Sequence, residues 1–164
     1  MKRKWIISIF SLLIASQLYA QKISEGEVPE AVKNAFNADF PQVKNVNNWF
    51  KRPWKPNVMY EVTFFNDKKL NSARYLADGD QVYVSIGHLA RTLPEGIADK
   101  VLAENPGFRV TSALEIISEK YDSHVYRIRL SKKGAVLRVY VDTKGDLVEE
   151  NKLAKIIIDA AKNN

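Results

Sequence analysis

Residues 93–106 read LPEGIADKVLAENP, and they restate residues 28–41, VPEAVKNAFNADFP, 65 positions earlier. In both stretches an apolar residue precedes Pro-Glu, and a second proline closes the stretch twelve positions after the first. Proline suits the first helical position, where its missing N–H would have no intrahelical partner, and the closing proline blocks continuation. Each stretch therefore predicts a three-turn helix opening at Pro29 or Pro94. Val28, Val32, Ala35 and Phe36 give the first an apolar stripe; Ile97, Val101 and Leu102 give the second its own. Gly96 is expected to weaken the second helix by about 1 kcal/mol relative to alanine.

The segment after each helix is also repeated. Tyr60, Val62 and Phe64 alternate with Glu61, Thr63 and Phe65, and 66 positions later Tyr126, Ile128 and Leu130 alternate with Arg127, Arg129 and Ser131. Ala73, Tyr75 and Ala77 fall opposite Val139, Val141 and Thr143 in the second copy. Asp78-Gly79-Asp80 and Lys144-Gly145-Asp146 then supply matching turns, leading into Val82 and Val84 or into Leu147 and Val148. A strand apolar on one face must bury that face, so the expected fold is α+β. It consists of two tandem helix-plus-four-strand repeats forming antiparallel sheet, with the helices packed on one face. The repeats are expected at 28–87 and 93–150, joined by a linker at 88–92.

The ends read differently. Lys2, Arg3 and Lys4 precede an apolar run from Trp5 to Ala15, and a small residue, Ala20, stands at the expected cut. This is the pattern of a cleaved signal peptide over 1–20, and the run is too short for the roughly 20 apolar residues of a membrane span. A short tail, 21–27, comes next. Residues 151–164 form an apolar terminal segment in which Leu153, Ile156, Ile157 and Ala160 recur at helical spacing, although three consecutive isoleucines equally suit a strand.

Loss of residues 1–20 removes three of 25 basic residues and none of 19 acidic ones, so the net charge falls from +6 to +3. Half of the apparent polyanion affinity thus belongs to the leader, and nucleic acid is not an expected partner. There is no cysteine. Disulfides, thiolate metal sites and thiol nucleophiles are excluded, and the exported chain must stand on its core alone.

The ordered set, VP or LP opening a helix that ends in proline, then YEVTF or YRIRL, then a strand and a DG or KGD turn, resembles the PepSY-like periplasmic proteins over about residues 28–150. Their fold is likened to that of β-lactamase inhibitory protein. The resemblance implies an exported, non-enzymatic protein of two tandem α/β units, common in Bacteroidetes-type bacteria. The WFKRPWKPN stretch and the apolar end depart from that pattern.

Candidate sites are few. His88 and His124 have no serine, carboxylate pair or second histidine at a spacing that builds a triad or metal site, and are read as surface or boundary residues. Asp78, Asp80, Asp142 and Asp146 are read as turn residues, since Lys144 stands where a calcium ligand would be needed. Residues 49–56 have no counterpart in the second copy and concentrate two tryptophans with cations. Trp49 is expected in the core, while Trp54, with Lys51, Arg52 and Lys55, is a candidate contact for a partner. Strand parity also places Arg127, Arg129, Arg138 and Tyr140 on the face opposite the helices, a surface suited to carboxylate, phosphate or an acidic protein. No enzyme activity, cofactor or metal is expected. The expected partner is a protein or a small anionic ligand in the periplasm, without membrane insertion once the signal is cleaved.

Overall fold

The computed structural model describes residues 20–54, 56–155 and 157. The expected signal peptide, save for Ala20, lies outside the described residues, as do Lys55 and most of the terminal segment. Eight strands form one antiparallel sheet in sequence order: β1 (Gln21–Ile23), β2 (Val46–Trp54), β3 (Asn57–Asn66), β4 (Lys69–Leu76), β5 (Gln81–His88), β6 (Arg109–Ser118), β7 (Ser123–Lys132) and β8 (Ala135–Val141). Helix α1 (Glu30–Asp39) connects β1 to β2, and α2 (Ile97–Glu104) connects β5 to β6. The α+β class holds.

Both helices lie on one face of the sheet. Val32 and Phe36 of α1 pack on Trp49, Tyr60, Val62, Phe64, Ala73 and Tyr75. The Phe36 ring meets Trp49 and Phe64 edge-on, at centroid distances of 5.6 and 5.2 Å. Ile97 and Val101 of α2 pack on Ala113, Tyr126, Ile128, Leu130 and Val141. The parity read from the sequence therefore decides which residues face the helices.

Corresponding strands pair in the same register. Tyr60 opposes Tyr75 and Glu61 opposes Arg74, while 66 positions on Tyr126 opposes Val141 and Arg127 opposes Tyr140. The β2–β3 ladder is irregular between Val46 and Asn48, and the β6–β7 ladder between Val110 and Ser112. The turns match as well: Leu76 N–H donates to the Asp80 carbonyl and Asp142 N–H to that of Asp146, each at 2.9 Å.

Several expectations need correction. Residues 21–23 of the expected tail form β1 on Trp49–Lys51, because Ile23 gains burial there. Beyond Trp49 the chain continues as strand to Trp54. Pro53 is tolerated because β1 ends opposite Lys51, so no ladder bond is needed from it on that side. Neither proline sits inside a helix. Pro29 is the N-cap of α1, and α2 starts after Gly96, whose φ of 80° is an N-cap conformation that glycine adopts freely. Gly96 therefore does not weaken the helix from within. The second half has three strands where four were expected; Leu147 makes only a single bridge to Val141.

The face away from the helices is not wholly wet. After a 3-10 turn at Glu150–Lys152, Leu153, Ala154 and Ile157 cross it and close a further core with Met59, Tyr83, Ile116, Val125 and Tyr140. Of the terminal segment, Lys155 and Ile157 are helical. Among the described residues one end of this face stays uncovered, and the candidate surface lies there.

Candidate functional site

The strand ladder places the expected arginines together. Arg127 opposes Tyr140 and Arg129 opposes Arg138 across β7 and β8, all four on the face away from the helices. Arg129 and Arg138 are exposed, whereas Arg127 and Tyr140 are buried at 9% and 8% exposure, beside the terminal segment. Burial lowers the Arg127 pKa, and the neighbouring Arg138 charge acts in the same direction. The Tyr140 carbonyl accepts from Val148 N–H at 2.9 Å, so the backbone of Tyr140 points away from β7. Alternation then gives Arg138 the same orientation, which makes Arg129–Arg138 a non-hydrogen-bonded pair, the closer of the two cross-strand spacings. Two like charges directly opposed at that spacing repel.

Exposed apolar side chains share this face, Val136 beside the pair and Phe65 and Leu70 on β3 and β4, with β5 and β6 between. Val136 continues the face along β8, and across the sheet Phe65 opposes Leu70; Phe65 is 59% exposed and the other two about half. A groove of about 410 Å³ opens nearby, lined by Lys68, Lys69, Leu70, Gly87, His88 and Leu89 among others.

The other candidates differ in placement. Lys51 is exposed, its register partner Tyr60 lying on the helix face. Trp54 is half-buried against the core that the terminal segment closes. Arg52 is turned into the protein, where its Nε donates to Glu61. Lys55 lies outside the described residues. The structure thus assembles Arg127, Arg129, Arg138 and Tyr140, and Trp54 packs on the same buried core as Tyr140.

Two polar clusters are not legible in the sequence. Glu61 and Arg74, each 2% exposed, form an ion pair at 2.6 Å, and the Arg74 guanidinium lies 4.9 Å from the centre of the Tyr83 ring. Arg74 Nη2 finds no hydrogen-bond partner among the described residues. Burial raises the Tyr83 pKa. Strand parity places Glu61 and Arg74 on one face; the core on that face, to which Tyr83 belongs, is closed by Ile157 from far along the chain.

The second cluster overturns the reading of His88 as a surface or boundary residue, whereas His124 is exposed at the start of β7 as expected. His88 is buried, and its Nε2 lies 2.8 Å from one oxygen of Glu115; His124 Nε2 lies 2.8 Å from the other, to which Tyr126 also donates at 3.0 Å. Burial pushes the Glu115 carboxyl up, but the bonds from His124, His88 and Tyr126 outweigh it and hold it below the usual range. Burial and the adjacent carboxylate push the Tyr126 hydroxyl up to about 12. His88 Nδ1 faces the Thr92 carbonyl at 3.0 Å, so the cluster ties the β5–α2 connection to β6. Chain separation conceals it: 27 residues divide His88 from Glu115.

The aspartates serve their turns. Asp142 Oδ1 accepts from the N–H groups of Lys144 and Asp146, and these bonds, that from Asp146 foremost, hold its carboxyl below the usual range.

No family model and no curated protein matches the chain. Solved structures do. A DUF2874 family protein from Bacteroides ovatus superposes with a TM-score of 0.63 at 12% identity, over 79% of this chain and 92% of that one. A BLIP-like protein from Bacteroides fragilis gives 0.62 at 14%, over 74% and 84%. The fold is BLIP-like. A Bacteroides eggerthii protein provisionally assigned to the periplasm also shares this BLIP-like fold, with a TM-score of 0.62 at 14% identity over 74% and 86%. No described helix is long and apolar enough to cross a membrane.

Proposed function

We propose that this chain is an exported, non-catalytic binding module of the PepSY-like kind, and that it takes an acidic protein partner on the open end of its sheet. The observation that carries this reading is the Arg129–Arg138 pair. Two exposed guanidinium groups held opposite each other at the closer cross-strand spacing cost the free protein stability, and an acidic surface offsets that cost through bidentate bonds. Exposed Val136 adds apolar contact beside the charge. The small net charge left after leader removal favours a local acidic patch over a long polyanion. Export rests on the leader pattern of residues 1–20 and is supported by the likeness to a protein assigned to the periplasm.

The architecture behind this surface is a doubled helix-plus-strands unit. The shared registers of β3–β4 and β7–β8, the paired ladder irregularities and the equivalent turns support duplication, with a reduced fourth strand in the second copy. Capture from periplasmic extract tests the function. Wild-type protein should retain an acidic partner that the Arg129→Glu, Arg138→Glu double variant loses; undiminished capture by that variant rejects the surface.

A second reading is favoured by the groove beside Lys68, Lys69, Leu70 and Leu89, whose apolar walls and cationic rim suit a small amphipathic anion. Native mass spectrometry of protein purified from its own host decides it, because a carrier brings its small molecule along.

A further inference from the structure

The sheet ends at β8 with its outer side open. Among the described residues, β8 has β7 on one side, and on the other only its Tyr140–Val141 end is covered, by Leu147 and Val148. The preceding residues, Ala135, Val136, Leu137 and Arg138, are all exposed. The Tyr140 carbonyl, bonded outward to Val148, fixes the parity of the strand. By alternation the N–H and C=O groups of Val136 and Arg138 point outward, whereas Leu137 and Val139 turn theirs toward β7. An edge of this kind is a template for another strand.

Its side chains specify the occupant. On the arginine face the edge presents Val136 and Arg138, with Arg129 directly behind Arg138 and Lys133 at the hairpin that opens β8, while Lys132 turns to the helix face, where its Nζ donates to the Pro106 carbonyl at 2.9 Å. On the helix face it presents Leu137, 37% exposed, and the half-buried Val139. A second copy pairing antiparallel here would bring its own Arg129, Arg138 and Lys133 against this set, a repulsive arrangement. A segment alternating acidic and apolar residues meets both faces: its carboxylates fall on the Arg129–Arg138 side and its apolar side chains beside Leu137 and Val139.

We propose that β8 takes an extended acidic–apolar segment of a partner protein as a ninth, antiparallel strand, hydrogen-bonded to the backbone of Val136 and Arg138. This deepens the reading of the arginine surface by naming the conformation in which the partner binds, and it rests on that reading for the partner's charge.

Proline supplies the test, because at position 136 it removes an outward N–H and leaves the β7 ladder intact. The probe is a fluorescein-labelled peptide, Thr-Val-Glu-Val-Glu-Val-Glu-Thr, with a counterpart carrying lysine in place of each glutamate, read by fluorescence anisotropy against the full mature chain. The acidic peptide should bind, the lysine peptide should not, and Val136→Pro should weaken binding by about tenfold or more with an unchanged circular dichroism spectrum. Arg138→Glu should reverse the preference between the two peptides, which a merely misfolded variant cannot do. Equal binding of both peptides, or binding unmoved by Val136→Pro, overturns the proposal. Where Arg129→Glu abolishes capture and Val136→Pro does not, the arginine surface stands and the ninth strand falls. Wild-type self-association that Val136→Pro abolishes, without peptide binding, assigns the edge to a second copy and likewise overturns it.

Discussion

Arg74 Nε donates to Glu61 Oε2 at 2.6 Å across the β3–β4 ladder, and both side chains are almost wholly withdrawn from water. Such a pair is expensive to break and cheap to replace, since a lone buried charge has nothing to offset its lost hydration. Glu61→Gln leaves Arg74, and Arg52 which also donates to Glu61, uncompensated and should destabilise the protein by about 3–5 kcal/mol in urea titration. The combined Glu61→Leu, Arg74→Met variant should lose less than Glu61→Gln alone.

The Glu115 cluster makes stability depend on acid. Its carboxyl titrates below the ordinary value of 4.5, so the stabilisation is complete above that value and is lost as pH falls through the folded-state pKa. Thermal unfolding should show wild type losing stability more steeply than Glu115→Gln on acidification from pH 4.5 downward. Parallel pH profiles would remove Glu115 from this role.

Glycine in the two equivalent turns differs in what surrounds it. At Gly79, φ is 89° and an added Cβ would stand 2.7 Å from the Ala31 carbonyl oxygen of α1; at Gly145, with φ of 82°, it would meet a flexible Lys100 carbon at 3.3 Å. The left-handed backbone alone costs about 1–2 kcal/mol for alanine. Gly79→Ala should therefore destabilise by that amount plus the clash with a fixed backbone, and Gly145→Ala by less, as equilibrium unfolding will measure.

Arg129 is predicted to trade stability for binding. Arg129→Glu turns a like-charge cross-strand pair into an attractive one with Arg138, and should raise stability by about 0.2–1 kcal/mol while abolishing capture of an acidic partner. Loss of stability in this variant would show that Arg129 is held by some other interaction.

Much of this fold is legible because its information is local. The alternation through Tyr60 to Phe64 and Tyr126 to Leu130 names the helix-facing residues, and the Asp78-Gly79 and Lys144-Gly145 turns set the hairpin registers. The same parity places Arg127, Arg129, Arg138 and Tyr140 on one face. Three residues are too few for periodicity, so β1 reads as a tail. The core closed on the far face by Leu153, Ala154 and Ile157 depends on a distant part of the chain, and the meeting of His88 with Glu115 depends on the β5–β6 ladder, neither of which leaves a mark in neighbouring residues. The reading of Trp54 rests on composition, which counts aromatic residues without saying what packs on them.

Hydrogen exchange on the complex of this protein with its captured periplasmic partner tests the central claim most directly. Backbone amides along β7 and β8 around Arg129 and Arg138 should gain protection on binding, while α1 and α2 exchange as in the free protein. Protection confined to the helices, with β7 and β8 unchanged, would contradict the account.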